Sequence, residues 1–140
     1  MQSLIRTAFR YLIAALVGGV FYREFPKWMG YSGRTSLAFV HTHLMVLGTL
    51  MFLILALFAA TTDLTGQSRF HSALRWYNLS LIGVVGLMLV RGVIQVVMTE
   101  VSRGLDFSIS GIAGLTHVLF AIGLVLVFRL LFSVKALREA

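Results

Sequence analysis

Four apolar blocks constrain this chain more than any other feature. Each is long enough to cross a hydrocarbon core, which takes ~20 helical residues. They run from about Leu4 to Phe21, Leu37 to Ala60, Phe70 to Met98 and Ser108 to Phe132. Backbone in lipid must satisfy its own N–H and C=O groups, so each block reads as a helix. The blocks take up most of the 140 residues, of which 59% are hydrophobic and 12% charged. Soluble domains carry about twice that share of charge. The short links between blocks join antiparallel neighbours. The expectation is therefore all-α: a single integral membrane domain over 1–140, folded as an up-down-up-down four-helix bundle. The first block lacks the small-residue cleavage site of a secretory signal, and is expected to stay as a membrane helix.

Charge and cysteine content narrow the function. The net charge of +7 reflects Lys and Arg flanking the spans and does not call for nucleic acid. On the side of the termini fall Arg6, Arg10, Arg69, Arg75, Arg129, Lys135 and Arg138; on the other, Arg23, Lys27, Arg34 and Arg103. Cytoplasmic flanks gather basic residues, so the termini are expected in the cytoplasm. Trp28 and Tyr31 then suit the outer interface, Trp76 and Tyr77 the inner one. The chain has no cysteine, which excludes disulfides, thiolate metal sites and iron–sulfur clusters.

Histidine placement carries the chemistry. His41 and His43 lie inside the second block, in "FVHTHLMVLGTLMF", and His117 lies inside the fourth. The second and fourth helices start at the same face. His43, six residues past Leu37, and His117, nine past Ser108, therefore fall within about one helical turn of the same depth. Ionisable groups inside a membrane usually mark ligand, ion or proton sites. His41 and His43 point ~200° apart, and the sequence leaves open which of them faces inward. Gly114 and Ala121 bracket His117, and Gly48 shares the face of His41, so small residues could leave a slot for a flat macrocycle. The ordinary role of such residues is close helix packing. Arg91 lies in the same half of the bilayer, with Gln95 one turn on. It suits a carboxylate such as a haem propionate, or a salt bridge to Glu100 or Asp106. His71, Arg75 and Asn78 share a face at the other end and read as a polar rim. Met45, Met51 and Met88 read as core filler, although Met45 could serve copper.

Two histidines on separate helices, with glycine and arginine nearby, fit b-type haem, which needs no covalent attachment. The expected axial ligands are His43 and His117, with His41 as the alternative, Arg91 as propionate partner, and Gly114 and Gly48 beside the ring. The alternatives are copper or zinc held by His41, His43 and His117 in a metal-binding or transport protein, and a helper subunit with no cofactor. No Walker loop, nucleophile elbow or HExxH motif is present. A redox or transport component is thus expected in preference to a stand-alone enzyme, and no catalytic residue is nominated.

"GVFYREFPKWMGYSGRTSLAFVHTHLMVLGTLMFLI" resembles the signature region of a small family of uncharacterised bacterial four-span membrane proteins, with FYREF and HTHLMVLG carrying the match. The resemblance implies the four-helix fold and a place in the bacterial inner membrane. The HTHxxxLG run is also similar to a histidine–glycine pattern in haem-bearing membrane proteins related to the haem–copper oxidases. This chain lacks the further histidines of a full haem–copper centre. Lipid is the partner implied throughout; a quinone, a redox partner or further copies of the chain are the others that such a protein would meet.

Overall fold

Helix α1 (Gln2–Trp28), α2 (Leu37–Thr61), α3 (Phe70–Val97) and α4 (Arg103–Ser133) are all long and apolar enough to cross a membrane. A computed structural model describes residues 1–98 and 100–134. Lys135 and Arg138, counted above for orientation, lie outside the described residues. The all-α membrane fold read from the sequence is the fold observed, with boundaries shifted at two helix ends.

The first shift is at α1, which runs on through Pro26 to Trp28. Proline lacks an N–H and so costs a helical bond. Here it sits in the last turn, where only the Tyr22 carbonyl loses its partner. Phe21 and Phe25 stack at 4.8 Å across that turn, and the amides of Met29 and Gly30 close it on the Phe25 and Lys27 carbonyls. The second shift is at α4, which begins at Arg103 because Ser102 caps it. The Ser102 hydroxyl accepts from the Leu105 amide at 3.4 Å, and Asp106 lies in the first turn, where a negative charge is favourable.

Packing runs in order along the chain: α1 on α2, α2 on α3, and α3 on α4. On α1 the buried stripe is Leu4, Ala8, Tyr11 and Ala15, a spacing of four, three and four that keeps one face inward. Two close approaches set the arrangement of the helices. A methyl group added at Gly48 of α2 would lie 2.8 Å from Tyr11 Cβ, and one at Gly92 of α3 would lie 2.6 Å from the Leu37 amide nitrogen. The end of α2 nearest the α1–α2 connection is pinned to α3 by polar bonds as well. Thr35 Oγ1 donates to the Gly92 carbonyl at 2.9 Å, and Gln95 Oε1 accepts from the Ser36 amide at 2.8 Å. Gln95 thus caps a neighbouring helix instead of extending the Arg91 site.

Tyr77 corrects an expectation. It is not at an interface: it is completely buried, between the Phe52 ring at 6.0 Å and the Phe120 ring at 5.3 Å. Its hydroxyl donates to the Leu47 carbonyl at 2.7 Å. That carbonyl belongs to a π-helical stretch of α2, Leu44–Leu50, which the apolar pattern does not reveal. Widened turns disturb the normal i→i+4 ladder, and Tyr77 supplies a donor there. Trp76, one residue earlier, is half-exposed and compatible with an interface.

Candidate functional site

The histidines of α2 separate as their spacing demands. His41 turns to α1: a methyl group added at Gly19 would lie 3.8 Å from its Cβ, and its ring stacks on Tyr22 at 6.2 Å. Its Nδ1 is buried with no hydrogen-bond partner. His43, ~200° round the axis, is turned away from α1 and is part-exposed. The Gly48 expectation is corrected here. Its bare side is covered by the Tyr11 ring of α1, so it serves helix packing and opens no slot for a macrocycle.

His43 and His117 share one local geometry. His43 Nδ1 lies 2.8 Å from the Phe39 carbonyl, and His117 Nδ1 lies 2.7 Å from the Ala113 carbonyl, each four residues back. A carbonyl only accepts, so each Nδ1 carries the proton and donates. Each Nε2 is then the ring atom with a free lone pair, the tautomer used by imidazoles that bind metals through Nε2. Among the described residues no side chain or backbone group is hydrogen-bonded to either Nε2.

The two rings are related through α3, the helix that packs on both α2 and α4. Thr116 lies against Gly83 of α3, and its neighbour His117 is exposed. Phe120, about one turn further along α4, meets Tyr77, and Tyr77 bonds to Leu47 of α2. Leu47 is four residues past His43 and Phe120 three past His117. Each histidine thus precedes, by about one turn of its own helix, a residue that Tyr77 touches. Levelled against α3, using Leu37 beside Gly92 and Thr116 beside Gly83, the two Cα atoms differ in depth by ~6 Å, close to one turn.

α4 is held to α3 on either side of His117, and between those points its contacts, such as Thr116 on Gly83 and Phe120 on Tyr77, leave no residue fully buried. Gly123 packs on Tyr77 and Ser80, and Val127 and Leu130 are buried beyond it. Near the other end, the Arg91 guanidinium donates to Ser110 Oγ at 3.2 Å and to Asp106 Oδ1 at 3.0 Å. From Ser110 to Ile122 no α4 residue is buried, and His117 lies mid-stretch. A methyl group added at Gly111 or Gly114 would meet no atom within 4 Å. Gly114 is thus bare and unpacked beside His117. Arg91 forms the salt bridge to Asp106 that its position allowed, and both partners are partly exposed.

A three-histidine metal set is not assembled. Among the described residues no three of the histidines and carboxylates come together, and His41 faces the opposite side of α2 from His43. Met45, Met51 and Met88 pack against the hydrophobic core.

Comparison with curated proteins and with solved structures finds no match. A family model described as "Protein of unknown function (DUF2871)" matches residues 1–134, and the chain therefore belongs to the DUF2871 family.

Proposed function

We propose that this protein holds one b-type haem between α2 and α4, with His43 and His117 as axial ligands through Nε2, and that it serves electron transfer or haem handling in the bacterial inner membrane. The observation that carries this reading is the matched pair of imidazoles. Each is turned by its own backbone with Nε2 free, and the two stand about one turn apart in depth on helices that both pack on α3. A lone intramembrane histidine with a packing role has less need of such matching. Its interhelical bond is worth only ~0.6 kcal/mol on average.

The residues would divide the work as follows. His43 and His117 would bind, and the Phe39 and Ala113 carbonyls fix their rotation. Gly111 and Gly114 leave room against the α4 backbone. Arg91 keeps guanidinium N–H groups beyond those given to Ser110 and Asp106, so it can also meet a propionate. A haem with two imidazole ligands supplies a one-electron couple and no open axial position for a substrate, which fits a redox or carrier component. The excess of basic residues on the side of the termini supports a cytoplasmic location for both ends.

Purification from haem-supplemented cells, followed by reduced-minus-oxidised absorption spectra, tests the reading. The expected result is a low-spin haem b spectrum near one equivalent per chain, lost in His43→Phe and in His117→Phe. Copper or zinc near one equivalent without porphyrin would replace haem with the metal-binding alternative. A folded, colourless, metal-free protein would favour a helper subunit and overturn both.

A further inference from the structure

A cavity lined by neither His43 nor His117 lies against α3. It is a fissure of about 700 Å³ between α1 and α3, floored by Val40 and Leu44 of α2. Such a volume is within the range that holds small ligands. From Thr7 to Phe21 along α1 it extends ~21 Å, walled mainly by side chains such as Val17, Ile82, Val85 and Leu89.

Polarity is confined to one end, toward the termini. Thr7, Arg10, Tyr11 and Asn78 line the fissure there. Thr7 and Asn78 also line an adjoining cavity of about 290 Å³ that adds Ser3, His71 and Arg75. The Tyr11 hydroxyl donates to Asn78 Oδ1, which leaves the Asn78 amide N–H groups to be presented. Thr7 Oγ1 is engaged with the Ser3 carbonyl at 3.0 Å. What remains is rich in donors, two guanidinium groups and an amide, beside the Ser3 hydroxyl and the His71 ring. Among the described residues no Asp or Glu lines either cavity. A matching ligand brings acceptors and negative charge at one end and a long apolar body behind.

We propose that this fissure binds one phospholipid with an anionic headgroup, its phosphate on Arg10 and Arg75 and an acyl chain lying between α1 and α3. Charge complementarity selects the anionic lipid over a zwitterionic one. The two arginines at the polar mouth favour net negative charge, whereas a quinone offers neutral carbonyls only. The site includes neither His43 nor His117 and does not depend on haem.

Native mass spectrometry of the full-length protein, delipidated and titrated with phosphatidylglycerol or with phosphatidylcholine of the same chains, tests the proposal. One phosphatidylglycerol should be retained with a preference on the order of tenfold, since each basic group near an anionic lipid favours its binding. Arg10→Gln with Arg75→Gln should abolish the preference. Gly86→Leu provides a second variant. Gly86 lines the fissure, and a methyl group added there meets no atom within 4 Å. The larger side chain should fill the space and expel the lipid while the protein still folds. Equal retention of both lipids, or retention unchanged in both variants, would overturn the proposal. So would stoichiometric displacement of phosphatidylglycerol by a short-chain quinone, which would mark a carbonyl site.

Discussion

Two residues of separation turn His41 and His43 to opposite sides of α2, and that divergence gives the histidine reading its most direct test. His41→Phe leaves the proposed ligand pair intact. Its haem spectrum should match the parent, whereas His43→Phe and His117→Phe should both be colourless; loss of haem in His41→Phe alone would reverse the assignment. Gly48 behaves differently. An added methyl group meets the Tyr11 ring and its Cβ, none of it a flexible chain end. Gly48→Ala should cost ~1–3 kcal/mol by overpacking, seen as a lower unfolding temperature in detergent, with any haem spectrum unchanged in the fraction that folds. The divergence of the histidines was legible in the sequence because helical pitch alone sets it. The packing role of Gly48 was not, because which helix covers a glycine depends on chain crossing.

At the scale of elements, the π-helical stretch of α2 and its contact with α3 act as one unit. Tyr77→Phe keeps the ring packing and removes only the donor to the Leu47 carbonyl. The expected loss is ~0.5–1.5 kcal/mol, together with faster amide exchange across Leu44–Leu50. An unchanged exchange pattern would mean that the stretch does not need the hydroxyl. Arg91 joins α3 to α4 through Asp106 and Ser110, but the ion pair is partly exposed, and such pairs contribute ~0–1 kcal/mol. Arg91→Ala should therefore leave thermal stability nearly unaltered. On the haem reading it should still weaken haem retention in a chelation or transfer assay, and that contrast separates a propionate contact from a structural brace.

At the scale of the whole molecule, orientation is the property to measure. The natural chain has no cysteine, so single introduced thiols report without background. With the termini cytoplasmic, Thr65→Cys in the α2–α3 connection should be labelled by an impermeant maleimide only after the membrane is opened. Ser32→Cys in the α1–α2 connection should be labelled from outside in intact spheroplasts. The reverse pattern would invert the topology and place the basic end of the lipid fissure at the outer leaflet.

Hydropathy and helical pitch, both written along the chain, determined the four helices, their antiparallel order and the divergence of His41 from His43. Those properties depend on lipid as solvent and on 3.6 residues per turn, and neither needs a partner segment. Only the tertiary structure decided that Tyr77 is core and reaches Leu47, that Gly48 receives Tyr11, that His117 is exposed on α4, and that α1 and α3 leave an elongated fissure. Each of these depends on which faces meet once the helices cross, and many sequences with the same apolar pattern would make that choice differently.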